Sequence, residues 1–212
     1  MARMSWDLVV GTHNAKKGDE LVELLAPLDF AVTTLADIGE TAEVVEDGDS
    51  FAANARLKAV GYAKKLNRWV LADDSGIEVD ALDGRPGIYS ARYAGPAASD
   101  EDNNQRLLGE LTGVPLAART ARYVCHVAVA DPDGSIRAES HATCGGRIRD
   151  EPVGANGFGY DPLFEVVEYH RTFGQLGPAV KRALSHRSRA LRAIVPQLQS
   201  LAGRGEWIDG RH

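Results

Sequence analysis

The chain has 212 residues, of which 44% are hydrophobic and 25% are charged, and its formal net charge is -6. This size allows one ordinary domain over residues 1–212, or two small lobes that share a cleft. The negative charge argues against a nonspecific nucleic-acid binder, which would need excess Lys and Arg. No apolar run reaches the length of a membrane span, and the start resembles no signal peptide. We therefore expect a cytoplasmic protein with no membrane partner.

The first predicted elements form a strand, a polar loop and a helix. Residues 7–11 predict a strand, residues 12–17 (THNAKK) a loop, and leucines at helical spacing from Leu21 a helix. Lysines at a helix start oppose the helix dipole by a few tenths to about 1 kcal/mol, and a bound phosphate would reverse that effect. Lys16 and Lys17 therefore indicate a phosphate site, although they could also be exposed and screened by solvent.

An acidic loop and a second helix come next. A strand over residues 31–35 leads to residues 43–49 (EVVEDGD), and Ser50 is a good N-cap for a helix over residues 51–66. Acidic loops are often just solvated, but this one could supply a metal carboxylate, with Glu46 as the candidate. The strand, helix and following strand predict a parallel crossover unit.

Two adjacent carboxylates follow the next strand. Residues 69–72 predict a short buried strand, and residues 72–76 (ADDSG) predict its exit into a loop. Side by side, Asp73 and Asp74 repel each other unless a cation or hydrogen-bond donors compensate. Hard oxygen ligands without neighbouring His or Cys favour Mg²⁺. The alternative is an ordinary turn, since Asp, Ser and Gly are common turn residues.

The middle of the chain predicts a long ordered loop, a helix and a hairpin. Residues 84–95 lie at a cleft edge or a subunit contact, a capped helix covers residues 99–111, and residues 120–131 and 135–144 pair as the hairpin. Cys125, His126, His141 and Cys144 resemble a zinc pattern, but neighbours on a strand point to opposite faces. The register also argues against a disulfide between the two cysteines.

The last two blocks indicate where a nucleotide base and its phosphates would bind. Residues 154–164 (GANGFGYDPLF) hold aromatic side chains between glycines, which suits stacking on a planar base or, alternatively, a short core strand. Residues 181–189 (KRALSHRSR) place basic groups before a helix that Ser185 could cap. The basic helix starts, the acidic loop and the aromatic loop together favour a nucleoside polyphosphate ligand.

These blocks, in this order, closely resemble the inosine triphosphate pyrophosphatase family. The resemblance covers residues 12–17, 50–59, 72–80, 87–93, 154–164 and 181–191. It implies hydrolysis of nonstandard purine nucleoside triphosphates (ITP, dITP and XTP) to the monophosphate and pyrophosphate, in the house-cleaning of the nucleotide pool. It also implies Mg²⁺, a homodimer, and a two-lobed α/β fold in which helices flank a mixed sheet with a central substrate cleft.

The resemblance also assigns roles to residues. Asp74 would be the catalytic acceptor, with Asp73 beside it, and Asp74 and Glu46 would bind the metal. The substrate-binding set would comprise Thr12, His13, Asn14, Ala15, Lys16, Lys17, Lys58, Ser75, Phe158, Gly159, Tyr160, Asp161, Lys181, His186 and Arg187.

Selectivity for the base follows from the donors in this set. Lys181 and Arg187 aimed at a 6-keto oxygen would meet another donor on adenine, and such mismatches can discriminate by about 10⁴. The carboxyl of an Asp beside a divalent cation has a lowered pKa and is a poor base at neutral pH. We therefore expect a metal-activated water that Asp74 positions, with Asp73 as a second proton acceptor.

Two positions depart from the family pattern. His13 stands where the family commonly has glycine, which affects the conformation of the first loop. Gln175 stands where it usually has glutamate, so a contact of that acid would be lost or neutral. Two other functions remain open: a pyrophosphatase for modified pyrimidine nucleotides, and a noncatalytic nucleotide-binding module that uses the basic C-terminal helix.

Overall fold

The computed structural model describes residues 6–39 and 42–207, and these divide into two compact units. Of the described residues, unit 1 comprises 6–39, 42–74, 126–141 and 190–207. Unit 2 comprises residues 75–125 and 142–189. Each unit has its own cluster of buried apolar side chains.

The strands of the described chain form one mixed sheet. They are β1 (Trp6–Val10), β2 (Phe30–Thr34), β3 (Val70–Val79), β4 (Thr120–Ala130), β5 (Ile136–Ile148), β6 (Phe164–Val166) and β7 (Arg171–Thr172). Their order is β2-β1-β3-β4-β5-β6-β7. β2 and β3 both run parallel to β1, while β6 is antiparallel to β5 and β7. The parallel pairing on either side of β1 agrees with the predicted crossover unit.

Six α-helices accompany the sheet in the described ranges, which confirms the predicted α/β class. They are α1 (Ala15–Leu25), α2 (Leu35–Ile38), α3 (Phe51–Leu66), α4 (Asp100–Glu110), α5 (Pro178–Leu184) and α6 (His186–Gly203). The two predicted serine caps are present. Ser50 Oγ accepts the N–H of Ala53 at 3.2 Å, and Ser99 Oγ accepts the N–H of Asp102 at 3.1 Å.

The core of unit 1 lies where α3 packs on the sheet. Ala55, Ala59, Tyr62 and Ala63 recur at helical spacing and are almost fully buried against β1 and β3. The small alanine side chains let the helix axis approach the strands closely. This packing also places two polar residues of α3, Asn54 and Lys58, over β3.

The predicted exit of the chain into a loop at residues 73–76 is wrong, because β3 continues through these residues to Val79. Gly76 is required there by close packing rather than by a turn. A Cβ on Gly76 would lie 2.3 Å from Ser90 Oγ, which accepts the N–H of Ile77 at 2.9 Å. Asp73 and Asp74 therefore belong to a strand, and their backbones are held by the sheet.

The prediction that Lys181 crowds a helix start is also wrong. Lys181 lies in the last turn of α5, where a cation interacts favourably with the helix dipole. Ser185 separates α5 from α6, and its Oγ accepts the N–H of Ser188 at 3.2 Å, so it does cap α6. His186 and Arg187 begin α6 as expected.

Across the ranges that the structure describes, no helix is both long and apolar enough to cross a membrane.

Candidate active site

The aspartates of β3 lie just beyond the point where its parallel neighbour β1 stops. Val10 is the last residue of β1 and pairs with Leu71, and the N–H of Gly11 donates to the Leu71 carbonyl at 2.8 Å. Asp73 and Asp74 follow on β3, with only 1% and 7% of their surfaces exposed. The carboxyl ends of parallel strands are common ligand sites in α/β sheets.

Two side chains of α3 contact the carboxylate of Asp74. Asn54 Nδ2 donates to Asp74 Oδ2 at 3.2 Å, and Lys58 Nζ donates to Asp74 Oδ1 at 3.4 Å. Burial raises the pKa of the Asp74 carboxyl, while the ammonium groups of Lys58 and Lys17 act to lower it. α3 thus supplies the donors that make a buried carboxylate at this position possible.

Lys58 connects the acidic loop (residues 43–49) to β3. Its Nζ lies 3.0 Å from Glu46 Oε2 as well as 3.4 Å from Asp74 Oδ1. Burial alone would lower the pKa of the Lys58 ammonium. The carboxylates of Asp74, Asp73 and Glu46 outweigh that effect, so its pKa is raised overall. The acidic loop is therefore attached to the site through an ion pair and is not simply solvated.

The same carboxylates fit a hard divalent cation. Glu46 and Asp74, the predicted metal ligands, approach one another closely enough to share a single cationic group. In the described parts of the chain, no group of three or more His, Cys, Asp or Glu is placed to hold a metal ion. Two carboxylates completed by water and substrate phosphate are the usual ligands of Mg²⁺.

The phosphate loop (residues 12–17) is ordered by its own side chains. Asn14 is the N-cap of α1, and its Oδ1 accepts the N–H of Lys17 at 3.1 Å. Thr12 Oγ1 accepts the N–H of Asn14 at 3.2 Å. Lys17 Nζ lies 3.8 Å from Asp73 Oδ2, whereas Ala15 and Lys16 are exposed at the helix start. Lys17 thus joins this loop to the aspartates within unit 1.

His13 is accommodated without the backbone conformation that would require glycine. Asn67, Asp83 and His170 are the non-glycine residues with positive φ in the described chain, and His13 is not among them. Its exposed imidazole packs edge-on against Tyr62, with 5.8 Å between ring centroids. This departure from the family pattern therefore does not strain the phosphate loop.

In unit 2, the aromatic loop (residues 154–164) is organised around Asp161, which is 3% exposed. Its Oδ2 accepts the N–H of Phe158 at 2.8 Å and the ammonium of Lys181 at 2.7 Å. Its Oδ1 accepts the hydroxyl of Tyr123 at 3.2 Å. A buried carboxylate with a cation and two further donors is compensated, so it holds the loop and α5 together.

Two cationic groups lie near the ring of Phe158. Lys181 Nζ is 4.6 Å from the ring centroid and Arg187 Cζ is 5.8 Å from it. Arg187 also donates from Nη2 to Ser75 Oγ at 3.0 Å. The structure thus connects four predicted site residues: Lys181 and Arg187 lie near the half-buried ring of Phe158, and Ser75 accepts a hydrogen bond from Arg187.

The remaining predicted residues of unit 2 are fully packed or bonded through the backbone. Tyr160 belongs to the core, is 5% exposed, and donates its hydroxyl to the Ser90 carbonyl at 2.8 Å. Its neighbour Gly159 is held by α4, since its N–H donates to Asp100 Oδ2 at 2.9 Å. His186 is buried and stacks on Tyr123, with ring centroids 4.6 Å apart. The loop is not a strand, so Phe158 and Tyr160 differ in exposure for reasons of tertiary packing.

Two residues of the site were missed from the sequence, namely Asn54 and Tyr123. Asn54 is 1% exposed, and besides contacting Asp74 it accepts the N–H of Gly48 at 2.9 Å. An Asn on the apolar face of a predicted helix was the available signal, since a polar side chain there must find partners. Tyr123 gave no such signal, because an aromatic residue on a strand normally serves the core.

Gln175 keeps a local contact despite its lack of charge. Its Oε1 accepts the N–H of Thr172 at 3.0 Å, and its own N–H donates to Thr172 Oγ1 at 3.2 Å. An amide oxygen accepts this hydrogen bond as a carboxylate oxygen would.

The cysteines and histidines of the hairpin do not form one cluster. Cys125 and Cys144 are buried free thiols. His126 and His141 stack on each other in unit 1, with ring centroids 5.1 Å apart. Both cysteines belong to unit 2, whereas both histidines belong to unit 1.

Comparisons with known proteins match nearly the whole chain. The Ham1 family model matches residues 8–197. A dITP/XTP pyrophosphatase from Rhodopirellula baltica is 56% identical over 201 residues, which are 95% of this chain and 96% of that protein. A dITP/XTP pyrophosphatase from Desulforamulus reducens is 46% identical over 194 residues, which are 92% of this chain and 96% of that protein.

A solved structure shows the same likeness. The Ham1 protein of Staphylococcus aureus is 38% identical and superimposes with a TM-score of 0.80. The match covers 93% of this chain and 99% of that one.

The packing of the aromatic loop can be tested with two glycines. Gly157 has φ +77° and an added Cβ would lie 2.0 Å from Asp161 Oδ2, whereas Gly159 has φ +61° with nothing within 4 Å of its Cβ. We expect Gly159→Ala to lower the free energy of unfolding by about 1 to 2 kcal/mol, from backbone strain alone. Gly157→Ala should lower it by roughly a further 1 to 3 kcal/mol, because the Asp161 carboxylate must move.

Urea denaturation of both variants measures the difference directly. Equal losses of stability would contradict the close packing of Gly157 against Asp161.

Proposed function

Because this chain belongs to the Ham1 family, we infer that it is a nucleoside-triphosphate pyrophosphatase acting on nonstandard purine nucleoside triphosphates. The observation that carries this conclusion is the 56% identity to a dITP/XTP pyrophosphatase over 95% of the chain. Water and the triphosphate give the nucleoside monophosphate and pyrophosphate. We propose ITP, dITP and XTP as the substrates, which places the protein in the cleansing of the nucleotide pool.

We assign the phosphate end of the substrate to residues of unit 1. The proposed set is Thr12, His13, Asn14, Ala15, Lys16, Lys17 and Lys58. The capped start of α1 supports this assignment, since its first backbone N–H groups favour an anion. Lys17 and Lys58 each lie beside an aspartate of β3. A triphosphate bound there would add its negative charge to that of Asp73 and Asp74, and the two ammonium groups would offset part of the total.

Pyrophosphatases of this family generally need a divalent metal, and we propose Mg²⁺ bound by Glu46 and Asp74. When bound, the cation would polarise the phosphoryl oxygens and neutralise developing charge. The carboxylates of Asp74 and Asp73 would orient the attacking water and accept its proton. Asn54 holds Oδ2 of Asp74 in place, while Lys58 balances the charge of the buried carboxylates.

We assign the base end of the substrate to unit 2. The proposed set is Ser75, Phe158, Gly159, Tyr160, Asp161, Lys181, His186 and Arg187. The half-buried ring of Phe158 offers a stacking surface, and Lys181 and Arg187 place donors beside it. These donors complement a 6-keto oxygen but not the 6-amino group of adenine, which leaves buried donors unpaired.

A homodimer, which the family resemblance implies, and a cytoplasmic location complete the proposal. Tyr89 is the best candidate for the subunit contact: it is 56% exposed, and Arg92 Cζ lies 5.3 Å from its ring centroid. It borders a pocket of about 390 Å³ that Arg85 and Arg106 also line. Tyrosine and arginine are enriched at protein interfaces, which supports this choice.

The reaction is tested by measuring pyrophosphate release from ITP, XTP, GTP, ATP and the pyrimidine triphosphates, with Mg²⁺ and with EDTA. We expect metal-dependent release from ITP and XTP that exceeds release from ATP by about 10⁴ in kcat/KM. Faster release from modified pyrimidine nucleotides would show that the proposed substrate class is wrong and that the proposed reaction is right. Binding of ITP without release from any nucleotide would instead indicate a noncatalytic module.

Asp74→Asn should remove turnover while the fold is retained. The amide is isosteric and neutral, so it fits the buried position but no longer binds a cation or accepts a proton. We expect kcat to fall by a factor of roughly 10³ or more, with an unchanged circular dichroism spectrum. Asp80→Asn is the matched control, because Asp80 is an exposed carboxylate at the end of the same strand. Equal activity of the two variants would exclude Asp74 from catalysis.

The dimer is tested by light scattering coupled to gel filtration. We expect twice the chain mass of 22.8 kDa for the wild type. Tyr89→Ser should shift the equilibrium toward the single chain, because it removes the exposed ring from the proposed contact. A wild type of single-chain mass would refute the dimer, and a dimeric Tyr89→Ser variant would move the contact elsewhere.

A further inference from the structure

Tyr123 contacts two of the residues assigned to base recognition. Its ring stacks on the imidazole of His186, with centroids 4.6 Å apart and an angle of 6° between the ring planes. Its hydroxyl donates to Asp161 Oδ1 at 3.2 Å. Tyr123 itself is only 7% exposed and lies on β4, so its backbone belongs to the sheet.

The hydrogen bond from Tyr123 determines how the carboxylate of Asp161 is oriented. With Oδ1 directed at the tyrosine, Oδ2 is directed at the N–H of Phe158 and the ammonium of Lys181. Burial and the neighbouring Asp161 carboxylate raise the pKa of the Tyr123 hydroxyl well above its usual value, so it remains a donor at any physiological pH. The tyrosine therefore acts on the position of Lys181 through Asp161.

We propose that Tyr123 is a positioning residue for base selection, whose hydroxyl aligns Asp161 and Lys181 and whose ring aligns His186. This inference rests on the proposed function and extends it to a residue without direct substrate contact. Lys181 can distinguish a 6-keto oxygen from a 6-amino group only if its ammonium is held at one place. Without the hydroxyl, Asp161 loses the hydrogen bond that Oδ1 accepts from Tyr123, so the carboxylate and the ammonium bonded to its Oδ2 are held less tightly in one position.

Tyr123→Phe is the informative variant, because it removes one oxygen atom and keeps the ring on His186. The readout is the ratio of the dissociation constants of IMP and AMP, measured by calorimetry without turnover. We expect this ratio to shift toward AMP by roughly tenfold, the effect of losing a hydrogen bond to a charged group. For ITP, KM should rise more than kcat falls, since the hydroxyl lies outside the reacting groups.

Tyr93→Phe is the matched control. Tyr93 is also a 7% exposed tyrosine of unit 2 whose hydroxyl donates to a carboxylate, that of Glu110 at 2.7 Å. The Tyr93→Phe variant should lose about as much thermal stability as Tyr123→Phe, but it should keep the wild-type ratio of the IMP and AMP dissociation constants. An equal shift of the ratio in both variants would overturn the proposal, since loss of packing would then explain it.

A double-mutant cycle with Asp161→Asn tests the route through Asp161. If Tyr123 acts through this carboxylate, adding Tyr123→Phe to Asp161→Asn should change the ratio by less than about twofold. An unchanged ratio in Tyr123→Phe alone would overturn the proposal whether or not the protein hydrolyses ITP. A wild type that binds IMP no better than AMP would overturn it too.

The two levels of the proposal fail in different ways. If the wild type binds IMP more tightly than AMP but releases no pyrophosphate from any triphosphate, the proposed hydrolysis is wrong. The ratio of IMP and AMP dissociation constants still tests the positioning role of Tyr123.

Discussion

The arrangement of unit 1 depends on the ion pair between the buried carboxylate of Asp74 and the ammonium of Lys58. An ionised carboxyl with 7% of its residue surface exposed is stable only if donors and an opposite charge compensate its lost hydration. α3 must therefore lie over β3 with Asn54 and Lys58 facing it. Ser50 starts the helix at the residue that makes this alignment possible, and Lys58 in turn draws in Glu46. Charge compensation thus places the predicted metal ligands.

Unit 2 also contains a buried carboxylate whose charge is compensated, but by different residues. Asp161 is buried, and its charge is balanced by Lys181 from α5 and by donors from the aromatic loop and β4. In both units a buried carboxylate and a lysine compensate each other's charge, so each pair stabilises the packing around it.

Much of this architecture was predictable from local patterns, and the errors have physical causes. Helices with serine caps and leucine or alanine stripes were found at the right places, because capping and amphipathic spacing are local properties. The continuous β3 was missed, since an Asp-Asp-Ser-Gly sequence satisfies the rules for a turn equally well. Only the approach of Ser90 shows that Gly76 is there for close packing. Lys181 was placed at the wrong helix end because α5 is a single short helix with no side-chain cap.

The sequence by itself predicted the α/β class and a nucleoside polyphosphate ligand, because these follow from periodicity and from residue types at short spacing, and its resemblance to known pyrophosphatases gave the family. Only the tertiary structure decided which carboxylate pairs with which cation. Lys58 and Asp74 are 16 residues apart in the sequence, and Tyr123 and Asp161 are 38 residues apart. Such partners carry no local signal, because they meet only when the apolar faces of helices and strands are buried together. Burial then forces each polar group left inside to find a partner, and that choice depends on the packing.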